Sequence, residues 1–340
     1  MVNGKESMVE EFAVHRLGGE NKDNTFSDFT VTLKGEEEQE FLRKLLLKPF
    51  ANMAFTGEFT HAVALEYNVL HGLCAEIQGG KDLLQVSEAI AKHLIDVSRH
   101  HQIKGGDLFV AKFSAVLVGS AVHDAVGIYK FDEKEVFIES KVESGLIELR
   151  MKRGIGNNRP NKACLVVFTP DSPTLFVIDD GANTEYWQQD FIGHRPKNDH
   201  VNSTSNVLDL TKSFITQQLP QDFVIAKADQ IDLLNRSVQY FKSNTEFDKD
   251  TFAQEVFQEE SAIRSFNQYS DRFQQEHNVE IHDSFEISAH AVKRQARVFK
   301  SVLKLDKNFH IYIHGDRNKI EQGVDENGRK FYKIYYEQEL

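Results

Sequence analysis

Clustered cations near the C-terminus are the side chains of this sequence with the clearest potential chemistry. Between Ala291 and Ile320, eight cations accompany only two acids, Asp306 and Asp316, so this segment carries +6 in a chain of net charge −12. Clustered Lys and Arg attract phosphate groups, so the segment predicts contact with a polyanion. A solvated amphipathic helix is the competing interpretation of the same charges. The eight cations are Lys293, Arg294, Arg297, Lys300, Lys304, Lys307, Arg317 and Lys319.

A second group of cations lies between residues 150 and 162, where no acid interrupts them. The segment is rich in Gly and Asn, which predicts a mobile loop. A phosphate contact and an exposed hairpin loop without a ligand explain this pattern equally well. The cations of this secondary basic loop are Arg150, Lys152, Arg153, Arg159 and Lys162.

Catalytic and metal chemistry have little support in the sequence. It contains no GxxxxGK[ST] phosphate loop, no GxSxG nucleophile elbow, and no HExxH or zinc-type Cys/His spacing. His310 and His314 would share a strand face, but a metal site needs three or four ligands and no third accompanies them. Asp179 and Asp180 are interpreted as a solvated strand end. We therefore predict no catalytic residue, no metal site and no cofactor.

The elements that position the C-terminal cations are a predicted helix and predicted hairpins. Ser288 is the expected N-cap of the helix, because its hydroxyl can accept a hydrogen bond from an amide of the first turn. Alternating apolar residues predict strands over 301–305 and 309–314, joined by a turn at 306–308. Asn327-Gly328 predicts a tight turn with positive φ at both residues, followed by a strand over 331–336.

The rest of the chain alternates between helical and strand patterns. Helices are predicted over 36–47, 60–76, 83–98, 207–218, 227–242, 250–257 and 261–277. Strands are predicted over 11–17, over 107–118, 122–131 and 136–140 as one antiparallel meander, and over 163–168 and 174–178 as a hairpin. The expected fold is α+β: N-terminal helices with an antiparallel sheet, then a helical segment and a small C-terminal αβ element with hairpins. The polar, irregular segment 193–205 places a boundary between domains 1–195 and 196–340.

Composition indicates a cytoplasmic protein. The N-terminus lacks the basic start and apolar run of a secretion signal, and no stretch approaches the roughly 18 apolar residues of a membrane span. Cys74 and Cys164 are predicted to be buried thiols, as suits a reducing compartment. Because DNA affinity comes largely from cations, a net charge of −12 argues against coating DNA with the whole surface. Any contact with DNA must therefore be local.

A family resemblance extends over nearly the whole chain, from about Phe12 to the C-terminus. Residues 295–336, QARVFKSVLKLDKNFHIYIHGDRNKIEQGVDENGRKFYKIYY, resemble the C-terminal signature of bacterial nucleoid-associated proteins of the NdpA (YejK) type, particularly members from Bacteroidetes-like bacteria. Further segments that resemble family landmarks are KPFANMAFTGEFTH, AKHLIDVSRHHQIKGGDLFVAKF, DAVGIYKF, YWQQDFI and LPQDFVIAKADQIDLLNRSVQYFK. No short catalytic or DNA-reading motif comes with the resemblance.

The resemblance implies association with the nucleoid, and the C-terminal cations give that association a physical route. The favoured hypothesis is a non-enzymatic DNA-binding protein of the bacterial cytoplasm and nucleoid, which contacts DNA through a local basic C-terminal face with little sequence specificity. The alternative is an adaptor that is recruited through nucleoid-bound protein partners rather than through DNA. No membrane partner is expected, and the sequence leaves a homo-oligomer open.

Overall fold

The computed structural model describes residues 2–18, 23–53, 55–98, 103–143, 145–156, 158–180, 185–277, 279–296, 299, 302–312 and 319–338. The chain divides into two compact units, residues 1–197 and 198–340. Helices and antiparallel strands occur in both, which confirms the predicted α+β class.

Unit 1 is built on an antiparallel sheet. Its strands are β1 (Val2–Asn3), β2 (Met8–Leu17), β3 (Gly57–Phe59), β4 (Gly106–Val118), β5 (Ala121–Phe131), β6 (Glu135–Glu143), β7 (Leu146–Gly154), β8 (Lys162–Val167), β9 (Thr174–Asp179) and β10 (His194–Pro196). The order across the sheet is β4-β5-β8-β9-β3-β10, and both β1 and β2 pair with the outer side of β4. Among the described strands, β6 and β7 pair only with each other. The predicted meander is therefore wrong at its third strand, because β5 pairs with β8 and not with β6.

Each face of this sheet packs into a hydrophobic core of its own. Successive side chains of a strand point to opposite sides, so one strand contributes to both cores. On β5, Val126 and Ile128 belong to one core, whereas Ala125 and Tyr129 belong to the other. The first core also contains the apolar sides of α2 (Val69–Gln78) and α3 (Leu83–Val97), and the second contains α1 (Glu36–Leu42) and the π-helical turn that extends it. The helices predicted over 36–47 and 83–98 are confirmed.

The helix predicted over 60–76 begins later than expected. Residues 57–59 form β3, and α2 starts after Asn68, whose side-chain oxygen accepts from the amide of His71 at 2.8 Å. The Asn68 amide group donates to the carbonyls of Thr60 and Ile192, both at 2.9 Å. The segment between β3 and α2 therefore contains only a 3-10 turn, Leu65–Tyr67, and no α-helix. Elsewhere, Cys74 and Cys164 are buried free thiols, as predicted.

Unit 2 is mainly helical. Its helices are α4 (His200–Ser213), α5 (Leu219–Asp222), α6 (Lys227–Ser243), α7 (Lys249–Phe257), α8 (Glu260–His277) and α9 (Ala289–Gln295). In the described part of this unit, the strands form three antiparallel pairs: β11 (Glu246–Asp248) with β12 (Ser284–Glu286), β13 (Val302–Leu305) with β14 (Phe309–Tyr312), and β15 (Ile320–Val324) with β16 (Lys330–Ile334). The helix predicted over 207–218 begins early, at His200, because the Asp199 carboxylate accepts from the amides of Val201 and Asn202.

The C-terminal hairpins form where they were predicted, but the strand predicted over 331–336 ends at Ile334, and one turn differs. Residues 301, 313 and 314 of the other two predicted strands lie outside the described residues. Ser288 caps α9, and its hydroxyl accepts from the amide of Ala291 at 3.4 Å. In the β15–β16 turn, Gly328 has φ +78 but Asn327 does not share a positive φ. The Asp325 carboxylate instead accepts from the amides of Asn327 and Arg329, at 2.9 and 2.8 Å, and closes the turn. Hydrogen bonds to the Asp325 side chain thus stabilise this turn, whereas the prediction relied on positive φ at both turn residues.

A buried histidine makes the stability of unit 1 depend on pH. The amide of Ser27 donates to Nδ1 of His15 at 3.2 Å, so this nitrogen carries no proton, and Nε2 donates to the Ser87 hydroxyl at 2.9 Å. Burial lowers the pKa of His15, and the carboxylate of Glu88 opposes this only in part. Below pH 6.5, the ordinary pKa of histidine, His15 binds a proton in the unfolded chain but remains neutral in the folded chain. The free energy of unfolding therefore falls as the solution becomes acidic.

We therefore expect unit 1 to lose up to about 1.4 kcal/mol per pH unit from this site as the pH falls from 6.5. Urea unfolding followed by the fluorescence of Trp187, which is the single Trp of the chain and is buried in unit 1, measures the effect. His15→Gln removes this titrating group and should lower the slope by up to about 1.4 kcal/mol per pH unit. A remaining pH dependence comes from His71, His93 and His194 of unit 1, because burial lowers the pKa of each of them as well. The exposed His61 provides the control, and an equal flattening in His61→Gln contradicts the assignment.

Candidate functional site

Helix α9 presents two cations on a packed support. Ala291, Val292 and Gln295 are buried, and Gln295 donates to the carboxylate of Asp209 on α4 at 3.3 Å. Lys293 and Arg294 lie on the other side of the helix and are exposed. The short helix is therefore held at both ends, by the Ser288 cap and by the bond to α4.

Hairpin β13–β14 presents two more cations. Leu303 is buried against Ile231 of α6 and anchors the hairpin. Its neighbour Lys304 pairs across the strands with His310, and both are exposed. Lys307 is exposed in the connecting turn, where Asp306 adopts φ +53.

These exposed residues, Lys293, Arg294, Lys304 and Lys307, are called the C-terminal basic set below. Within the described parts of the chain, no carboxylate lies within ion-pair distance of Lys293, Lys304 or Lys307. Lys319 differs, because its ammonium pairs with Glu337 at 2.7 Å. Arg297, Lys300 and Arg317 lie outside the described residues.

The secondary basic loop is a loop only in its second half, because β7 continues to Gly154 and β8 begins at Lys162. Arg150, Lys152 and Arg153 belong to strand β7, because this segment pairs residue by residue with β6. Arg150 forms an ion pair with Glu148 at 2.8 Å, and Lys152 forms one with Glu139 at 2.7 Å. Arg153 lies opposite Val136, and Arg159 is exposed. Local acids thus neutralise two of the five cations that the sequence placed in this patch.

Lys162 is a core residue and not a surface cation. Its ammonium forms an ion pair with Asp179 on the neighbouring strand, and the two side chains are 5% and 4% exposed. Gln188 donates to the other oxygen of Asp179 at 3.0 Å, and the Lys162 ammonium lies 5.1 Å from the centre of the Tyr186 ring. The solvated strand end expected at Asp179 is therefore wrong. No phosphate can reach Lys162 while unit 1 is folded.

Lys130 has a similar buried setting that the sequence analysis missed. It pairs with Lys162 in the strand register, and its ammonium donates to the carbonyl of Lys104 at 2.7 Å and to Asp132. Burial lowers its pKa, and Asp132 opposes that effect. The alternation of charged and apolar residues at the end of β5 was the only local signal for it.

The described residues form neither a metal site nor a membrane span. Among the described residues, no group of three His, Cys, Asp or Glu side chains is arranged to hold a metal ion. His310 is exposed, and His314 lies outside the described residues. None of the described helices combines the length and the apolar character that a membrane span requires.

Comparison with known proteins identifies the family. No curated protein gives a significant match to this sequence. A family model described as nucleoid-associated protein YejK matches residues 13–332, which include most of the main sheet, the helices of unit 2 and the C-terminal basic set. Because this match covers far more than half of the chain, the protein belongs to the YejK family of nucleoid-associated proteins.

Proposed function

We propose that this nucleoid-associated protein is non-enzymatic and binds DNA directly, through the C-terminal basic set and with little sequence specificity. The observation that carries the proposal is that Lys293, Lys304 and Lys307 are exposed and have no ion-pair partner among the described residues. Lysines in this state can replace the counterions condensed on DNA, which is the main source of affinity that does not depend on sequence.

The support beneath the basic set is shared. Helix α9 packs against α4 and α6, and strand β13 reaches α6 through Leu303 and Ile231. Two elements that carry separate lysines therefore rest on one helix, α6. A fixed spacing of cations suits the regular spacing of phosphates along a duplex, because each ammonium then needs little reorganisation to reach its phosphate.

Weak sequence reading follows from the residue types and their placement. Lysine is a point charge on a flexible stem, whereas base recognition typically uses bidentate Arg, Asn or Gln side chains on an element that enters a groove. Three of the four cations are lysines, and they are divided between a helix of seven residues and a hairpin. The rest of the chain is strongly acidic, so it should keep DNA at the basic set and away from other surfaces.

Fluorescence anisotropy with a labelled duplex across a salt series tests the proposal. The logarithm of the association constant should fall linearly with the logarithm of salt concentration, with a slope of about 0.9 per neutralised phosphate. The triple variant Lys293→Gln, Lys304→Gln, Lys307→Gln should bind more weakly and reduce that slope by about 3, equally for duplexes of different sequence.

A matched control separates a local contact from a change in net charge. Lys44, Lys81 and Lys92 are exposed in unit 1 but pair with Glu40, Glu76 and Glu88 at 2.6–2.9 Å. Changing these three lysines to Gln alters the net charge equally and should leave the slope within about 1 of the wild type. Equal losses in both triple variants contradict the placement of the site. No binding of the wild type at low salt contradicts direct DNA contact and favours the adaptor.

A further inference from the structure

Hairpin β6–β7 has one polar and one apolar face. Residues paired across an antiparallel hairpin lie on the same face, so the register sorts its side chains. The polar face carries seven charged residues, with ion pairs such as Lys152–Glu139 and Lys141–Glu143, both at 2.7 Å, and its apolar members are Phe137 and Leu146. The pairs Val136–Arg153, Ile138–Met151, Ser140–Leu149 and Val142–Ile147 form the opposite face. Six of these eight side chains are apolar.

The apolar face is in water. Its six apolar residues are between 53% and 78% exposed, with Val136 the least and Met151 the most exposed. None of them belongs to a hydrophobic core cluster of the described chain. Scattered apolar residues on a surface are ordinary, but a contiguous apolar face with a polar reverse side is typical of an interface.

The hairpin also lacks the support that sheets normally have. No described strand pairs with either of its outer edges, and two strands alone are marginally stable in water. A second layer about 10 Å away, packed on the apolar face, is the usual solution for such a sheet.

Charge and area together select the occupant of this face. The two strands carry four cations and four acids, so the hairpin is neutral within a chain of −12. A neutral face offers DNA no charge to bind, and it lacks the electrostatic attraction that adds to apolar contact at an anionic membrane. A second copy of this acidic protein can approach here without the repulsion that it meets elsewhere. At roughly 60–120 Å² per fully exposed apolar side chain, the six present on the order of 400 Å². That is close to the apolar part of one partner's share, about 800 Å², of a standard interface.

We propose that the apolar face of hairpin β6–β7 binds the same face of a second copy of the chain and forms a two-fold symmetric dimer. In a two-fold interface the same patch serves both partners, so one self-complementary face is sufficient. The two hairpins form a four-stranded, two-layer sandwich in which Ile138, Leu149 and Met151 interdigitate with their counterparts. The polar faces, with their ion pairs, remain outermost.

Sedimentation of the full-length protein over a range of concentrations tests the dimer. The wild type is expected at twice the 38.9 kDa mass of the chain. Ile138→Gln with Met151→Gln changes one cross-strand pair at the centre of the apolar face and should raise the dimer dissociation constant by about 100-fold or more. Glu139→Gln with Lys152→Gln changes the adjacent pair on the polar face, also without changing net charge, and should leave the dimer intact. Dimers of equal strength in all three proteins overturn the proposal, as does a wild type that stays monomeric up to about 100 μM.

A crosslink keeps the proposal testable if the Gln variant fails to fold. Both native cysteines are buried, so a single introduced thiol reports its own surroundings. Ser140→Cys lies on the apolar face and should form a covalent dimer on mild oxidation, whereas Lys141→Cys, one residue away on the polar face, should not. Equal crosslinking by the two variants, or none by Ser140→Cys, overturns the face-to-face arrangement. The proposal is also overturned if the wild-type protein does not self-associate and its hairpin binds a different protein instead.

Discussion

Lys162→Ala should destabilise unit 1 by about 3–5 kcal/mol, because it leaves the carboxylate of Asp179 charged and buried without its partner. The Gln188 amide would remain as a single hydrogen-bond donor to Asp179, at 3.0 Å, and cannot replace an ammonium. Since both side chains of the ion pair are almost fully buried, solvent screening cannot reduce the cost. Urea unfolding monitored by the fluorescence of Trp187 measures the free energy of unfolding of unit 1 directly.

Two comparison variants show whether burial causes this effect. Lys81 pairs with Glu76 at 2.9 Å on the surface, each side chain 43% exposed, so Lys81→Ala should cost less than about 1 kcal/mol. Lys162→Met combined with Asp179→Leu removes both charges and should recover most of the stability lost in Lys162→Ala. The interpretation fails if Lys162→Ala costs no more than Lys81→Ala, or if the double variant is as unstable as the single one.

Lys162 shows why a sequence pattern can predict a cluster of cations but not which of them are exposed. Lys162 looked like part of an exposed basic run because its neighbours in the chain are Gly, Asn, Arg and Pro. Its partner is Asp179, seventeen residues later, and the two meet only because β8 and β9 are in the register that places them opposite each other. Non-local charge pairing of this kind depends on strand register, which local composition does not encode.

Hairpin β6–β7 was also beyond prediction, for a related reason. The alternation of Val136, Ile138 and Val142 predicts a strand, and that is correct. The same alternation would occur in a strand of the main sheet, so it cannot tell whether the apolar face packs inside the chain or against another molecule. By contrast, the local signals at the Ser288 cap and at the hairpin around Asp306 were reliable, whereas the turn type predicted at Asn327-Gly328 was not. Local sequence signals predicted the helix and the hairpin that carry the basic set. Tertiary contacts determine which cations form ion pairs within the protein and which remain exposed.

Phe247→Ala is expected to have the second large effect, because this residue connects the core of unit 2 to the basic set. Its ring stacks on Phe285 of β12 at 4.7 Å between ring centres and on Phe241 of α6 at 5.6 Å, and it is 1% exposed. Removing a buried phenyl group costs about 3–5 kcal/mol, since lost burial is added to a cavity that the rings around it fill only partly. Urea unfolding followed by far-ultraviolet circular dichroism measures this loss in unit 2.

The effect should spread from Phe247 to α9 through a short path. Strand β12 pairs with β11, the amide of Ile287 donates to the carbonyl of Thr245 at 2.7 Å, and Ser288 then caps α9. We therefore expect faster hydrogen exchange at the amides of Ala291 and Val292, and weaker DNA binding, although no charge has changed. Phe309→Ala, at a ring that is 61% exposed, should cost less than about 1 kcal/mol and leave exchange in α9 unchanged. If Phe247→Ala loosens the core while exchange in α9 and affinity for DNA stay at wild-type values, the basic set does not depend on the aromatic core for its position.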